Sequence, residues 1–426
     1  MKSLINVFKK NLVHLVHLGI ILVLSGACND RKPEGNQPFP ILESNIHITP
    51  INGGAIVTYS IPKDPDILYV MAEYERNGEL FTERASIYVN SLTIEGFNTM
   101  NPVSATLYTV NDQEIKSVPL SFSFTPLEAP VSLASKSTHI IPHFGGILVS
   151  WENITKKELG IRVMRKENEE MVEKDMYFSS FEFENRTFRG FESVETTFAL
   201  TFEDQWGNIS DTVYYVGTPL FEKLIEKPWI DMRPSMPYDN LSGNLSAVWD
   251  GAIQYGVEYI TSSGSAGSSF TFDLGKAVKL SQMAIWPSVQ LGYAAPVVVY
   301  GNLNIMKFEM WGTNELELSK LTGNPFYWLH PNSAQENGLE LPEESFMDDW
   351  VYLGYFEVER LDLMGATEDE MFASGEEGFH FEIPIECDPV RYIRFFPLCT
   401  NVSCPIPSNW WRVMELSFWG DDTVSR

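Results

Sequence analysis

The sequence predicts an all-β chain, with two copies of a small sandwich followed by one larger β domain. Three observations lead there. Short β-branched and aromatic runs alternate with clusters of Gly, Asn, Asp and Pro along most of the chain. A unit of roughly 90 residues occurs twice, longer than a solenoid repeat. No long stretch shows the period of an amphipathic helix.

The repeat fixes the first two domains. Gly53-Gly54 in NGGAIVTYSIP recurs as Gly145-Gly146 in FGGILVSWENI, 92 residues on. Gly96-Phe97 recurs as Gly190-Phe191, Asp112-Gln113 as Asp204-Gln205, and Thr125-Pro126-Leu127 as Thr218-Pro219-Leu220, at offsets of 94, 92 and 93. Within the first copy, Val57, Tyr59 and Ile61 fall on one face of a strand and Ile56, Thr58 and Ser60 on the other. Leu68–Tyr74 reads as a second strand. Two fibronectin type III-like sandwiches follow, over 39–127 and 128–220, each closed by its Pro-Leu pair.

A linker, 221–236, leads to a domain over 237–421 that has no copy upstream, and 422–426 form a tail. FTFDLG (270–275) alternates large apolar residues with Thr and Asp, as a half-buried strand does. RYIRFFPL (391–398) and VMELSFWG (413–420) read as two further strands.

The start of the chain reads as an export signal over 1–27. Lys2, Lys9 and Lys10 precede an apolar run from Leu12 to Leu24, shorter than the roughly 20 residues that cross a bilayer as a helix. Ser25, Gly26 and Ala27 lead into Cys28, the position of a lipid-modified cysteine, and the polar 28–38 suits a tether. An ordinary signal peptide with Cys28 as a free thiol is the other reading.

Of the 426 residues, 44% are hydrophobic and 13% aromatic, enough for substantial cores. A formal charge of −27 excludes nucleic acid and anionic membrane surfaces as partners, since both need clustered Lys and Arg. The expected membrane contact is the anchor alone. Cys399 and Cys404 are expected to pair in an exported protein, leaving Cys387 as a buried thiol. His139 and His143 have metal-like spacing, but Pro142 opposes the helix that would align them. No nucleophile elbow, phosphate loop or dinucleotide fingerprint is present.

WDG (249–251), FTFDLG (270–275), FEMWGT (308–313), RYIRF (391–395) and MELSFWG (414–420) occur in an order that resembles the discoidin-like, coagulation-factor C-type domains. These are galactose-binding-like jelly rolls that include carbohydrate-binding module family 32. The upstream copies, with LYVMAEY (68–74) and FEDQWGNISDT (202–212), resemble sandwich domains that precede such modules in Bacteroidetes lipoproteins. The resemblance implies an outer-membrane lipoprotein facing the cell surface, encoded among polysaccharide-utilisation genes. It implies a polysaccharide or oligosaccharide ligand, with a Sus-type importer or a glycoside hydrolase nearby.

A sugar site needs exposed aromatic faces and a few fixed polar groups. The expected candidates are Trp410 and Trp411 after the CTNVSCPIPSN loop, with Asn409 and Arg412 beside them, then Trp286, Tyr293, Tyr255 and Tyr259. Neighbours in an extended segment face opposite ways, so one of Trp410 and Trp411 is expected to point outward. The resemblance also implies one structural Ca2+, with Asp250 and Glu415 as ligands; Asp250 as a turn cap is the alternative. Three functions follow: a non-catalytic carbohydrate binder, a docking subunit of a glycan-uptake complex, and a glycoside hydrolase.

Overall fold

The computed structural model describes residues 37–253, 256, 258–288, 299–301, 303–404 and 410–424. Cys28, Tyr255, Tyr293 and Asn409 lie outside them. The chain is all-β, its sheets joined by short helices and turns.

The first compact unit ends at Leu127. Strands Ile46–Ile51, Gly54–Tyr59 and Ser91–Glu95 form one antiparallel sheet in that order. Glu79–Ser86, Ile67–Arg76, Val103–Asn111 and Leu120–Phe124 form the other. Three strands against four, in this order, make a fibronectin type III-like sandwich. Alternation builds its core: Ala55, Val57 and Tyr59 point inward and meet Ala72, Tyr74, Ile94 and Leu107.

The second unit opens with a copy of that sandwich. Phe183–Phe188, Gly146–Glu152 and His139–His143 form the smaller sheet, and Glu170–Ser179, Leu159–Glu167, Thr196–Asp204 and Val213–Gly217 the larger. Trp151 fills its centre against Phe202. A helix, Pro130–Ser137, precedes the first strand and buries Val131 and Ala134 in the core. The sequence reading has no counterpart to it, because eight residues are too few to show a period.

The repeat has a physical cause. Gly53 and Gly145 turn the chain at φ +69° and +63°. Their N–H groups donate to the carbonyls of Leu127 and Leu220 at 3.0 and 2.9 Å, and their carbonyls accept from Phe97 and Phe191. The Pro-Leu pair is therefore hydrogen-bonded to the double glycine. At Gly54 and Gly146 a Cβ would strike the carbonyl oxygens of Ile94 and Phe188. One equivalence needs correction. Asn111, and not Asp112, matches Asp204: its side chain accepts from the N–H of Gln113 and Ile115, as Asp204 does from Trp206 and Asn208.

The larger domain is a jelly roll of two sheets that share one strand, Phe270–Trp286. Its pairing breaks between Asp273 and Val278. Before the break it pairs with Val390–Thr400 and Ile230–Asp231; after it, with Glu415–Asp421 and Phe379–Glu382. Ile305–Thr313 and Val351–Glu357 extend the first sheet, and Lys223–Leu224 the second. The core holds Trp229, Phe272, Phe308, Phe395, Trp411 and Phe418. Arg189 of the second sandwich ion-pairs with Glu222 and with Glu382 of the jelly roll, and Ser281 also donates to Glu222.

Candidate functional site

Two of the expected aromatics, Trp411 and Tyr259, belong to the core. Trp411 is fully buried, edge-on to Tyr259 at 5.6 Å and stacked near Phe270, with its indole N–H donated to Ser265 O. Tyr259 is equally buried, and its hydroxyl meets Arg233 Nη1 at 3.2 Å. That burial pushes its phenol up to about 12. Arg412 is buried too, with Nε on Asn304 Oδ1 at 2.8 Å and Nη1 towards Glu258. Trp286 is half-buried against Gly378 and donates to Glu376 O. Among the described candidates Trp410 alone points outward, 48% exposed, as the alternation of neighbours requires.

The pair expected to hold calcium is arranged differently. Asp250 Oδ1 accepts from Ala252 N at 2.8 Å, a turn cap. Glu415 is buried and ion-paired with Lys227, while Gly251 N donates to its second oxygen at 3.2 Å. The Glu415 carboxylate is thus already paired with an ammonium. Among the described residues no group of three or more His, Cys, Asp or Glu side chains is placed to hold a metal.

The cavity lies elsewhere, on the outer face of the first jelly-roll sheet, with a volume of about 680 Å3. Along Ile305–Thr313, Phe308 and Met310 face the core, so Lys307, Glu309 and Trp311 face out. Opposite them runs Val351–Glu357. Strict alternation would put Tyr352 and Tyr355 on opposite faces. A bulge intervenes: Trp311 pairs with Tyr352 and Met310 with Gly354, leaving Leu353 as the extra residue. Gly354 adopts φ +142°, and both tyrosines emerge on the outer face, 43% and 47% exposed. Trp311 and Tyr352 sit with ring centroids 4.7 Å apart.

The segment from Leu318 to Trp350 crosses this face and makes the far wall with His330, Pro331, Asn332, Met347 and Trp350. It is held by a satellite core of Trp328, Phe346, Trp350 and Phe396. Arg394 lies fully buried under it, within 5.1–5.4 Å of the Trp328, Phe346 and Phe396 rings, and donates to Pro237 O at 2.6 Å. Leu398 and the disulfide-bonded Cys399 and Cys404 complete the rim. Among the described residues Cys387 is the free thiol, half-buried rather than buried as expected, its Sγ 3.5 Å from Tyr352 O.

Polar groups on the wall are held in place. His330 Nδ1 accepts from Asn332 N at 3.2 Å, so the ring carries its proton on Nε2, which donates to Glu309 Oε2 at 3.1 Å. Lys307 pairs with Glu357 at 2.8 Å, which raises the lysine and lowers the carboxyl from their ordinary ranges. Tyr355 donates to the same Glu357. Burial, then the Glu309 carboxylate, lifts the Tyr352 phenol. A rigid aromatic wall beside fixed donors and acceptors can take a ring that is apolar on its faces and polar at its edge.

Residues 40–126, 127–228 and 249–420 match in turn the family models DUF4959, DUF5126 and DUF5000, each described as a domain of unknown function. No curated protein matches the sequence. The chain is similar to a solved SusE-like protein at 21% identity, over 68% of this chain and 98% of that one, with a TM-score of 0.36. It is also similar to a two-domain fibronectin type III segment of chicken tenascin, at 11% identity over 43% and 99%, TM-score 0.21. A third is CBM32-1 from a family 31 glycoside hydrolase of Clostridium perfringens, at 10% identity over 46% and 93%, TM-score 0.23.

Proposed function

We propose that this is a surface lipoprotein, anchored through Cys28, that captures glycan in the cavity of its jelly-roll domain without cleaving it. The observation that carries the reading is the cavity itself. Trp311, Tyr352 and Tyr355 offer ring faces on which sugar C–H groups stack, and Lys307, Glu309 and Asn332 offer polar atoms at their edges. Tyr352 is held against Trp311, and Tyr355 is held by its hydrogen bond to Glu357, which limits the rotamer freedom lost on binding.

Hydrolysis asks for more than this wall contains. A glycosidase needs two carboxyl groups roughly 5–9.5 Å apart across the bond. Glu309 is the one carboxylate among the described wall residues, and it is tied to His330. Calorimetry and affinity electrophoresis against a panel of neutral and pectic polysaccharides test the binding; reducing-sugar release on the same panel tests for cleavage. Folded protein that binds none of them would overturn the proposal.

A further inference from the structure

We infer that the cavity selects an uncharged glycan, one sugar ring lying on Tyr352 with two adjacent hydroxyls donated to Glu309, and that it turns away uronate and sulfated chains. This rests on the glycan-binding reading above and adds the class of ligand.

The charges on the wall decide it. Among the described residues of the wall Lys307 is the only ammonium, and Glu357 neutralises it at 2.8 Å, held in turn by the Tyr355 hydroxyl at 3.3 Å. Among the described residues no Lys or Arg pairs with Glu309. Its partner His330 receives a backbone N–H on Nδ1 and so presents one neutral donor to Oε2. A neutral N–H orients the carboxylate but leaves its charge in place. Among the described residues no protein donor meets Oε1. A carboxylate has room for about four donors over its two oxygens, so one hydroxyl to each oxygen completes a set that the protein leaves part-filled. A second carboxylate or a sulfate brought to the same place meets like charge in a partly enclosed site, and the chain's net charge of −27 adds to the repulsion.

The test uses one backbone in two charge states. Soluble glucan, galactan and mannan are screened against the full mature chain, and the strongest binder is then oxidised at C6 to its uronate. Oxidation is expected to weaken binding at least 10-fold at low salt, and 0.5 M NaCl to recover much of the loss by screening. Glu309→Gln exchanges one of the two acceptor oxygens for a donor and is expected to weaken neutral binding, while the penalty of oxidation, read as the ratio of neutral to oxidised affinity in the same variant, falls to under about 3-fold. Equal or tighter binding of the oxidised chain, or a penalty that neither salt nor Glu309→Gln relieves, overturns the inference and leaves glycan binding standing. Binding to anionic glycans alone overturns it as well. Should no neutral or anionic chain bind the folded protein, it is the glycan-binding reading that falls. The salt arm needs no variant, so a misfolded Glu309→Gln would not remove the test.

Discussion

His330 donates to Glu309 across 3.1 Å while its ring lies 4.3 Å from Phe396, so one buried side chain joins the cavity's carboxylate to the satellite core. His330→Ala removes the one donor that meets that carboxylate among the described residues and opens a gap beside Phe396. A loss of roughly 2 kcal/mol in stability is expected, together with weaker glycan binding. His330→Gln, which keeps a donor, should recover part of both. Thermal melts and calorimetry on the pair decide this.

Tyr352 and Trp410 separate two locations for the site. Both are large, aromatic and about half exposed. Tyr352→Ala is expected to weaken glycan binding about 10-fold or more with little change in melting temperature. Trp410→Ala should leave binding unchanged. The reverse result would move the site to the loop end, where the sequence alone had placed it.

Gly354→Ala tests the bulge. A Cβ at φ +142° would lie 2.8 Å from Phe356 Cζ, and that phenylalanine is core. The expected cost is about 1–3 kcal/mol. Binding should fall by more than stability predicts, because the tyrosines depend on this register. Unchanged affinity in a folded variant would separate them from the site.

Lys227 and Glu415 make a prediction about metal. With the ammonium in place, EDTA is expected to leave the melting temperature unchanged, and added calcium to do the same. Lys227→Met strands a buried carboxylate and should cost about 3 kcal/mol. A chelator-dependent melt would place a cation at Asp250 and Glu415 after all.

Asp349 gives the far wall an acid limit. Lys320, then the Tyr327 hydroxyl at 2.6 Å, hold its carboxyl below the usual range. A depressed carboxyl stabilises above its unfolded pKa, and that contribution disappears as pH falls through the folded value. The segment 317–350 should therefore loosen below about pH 4, read by tryptophan fluorescence. Asp349→Asn should be weaker at neutral pH and show less of this acid step.

The architecture was legible in the sequence because each clue had a local cause. The double glycines mark turns that no other residue fits, and the motifs FTFDLG, RYIRF and MELSFWG lie in strands, buried on both faces where the sequence suggested a half-buried one. The site was less legible. Alternation correctly split Trp410 from Trp411, but burial depends on which sheet lies opposite, and a single strand does not carry that information. The tyrosines of VYLGYFE are not legible as a pair because their faces are set by a bulge, whose signal is one glycine between them. The wall from 318 to 350 has no period to read, since a satellite core holds it in place.

Two atoms of the cavity rim are the sulfurs of Cys399 and Cys404. A newly made chain in a reducing cytosol carries two separate thiols there, because disulfides persist only in oxidising compartments. In a chain exported as proposed, the rim is therefore finished by oxidation after synthesis, and maturation of the cavity is tied to arrival outside the cytosol.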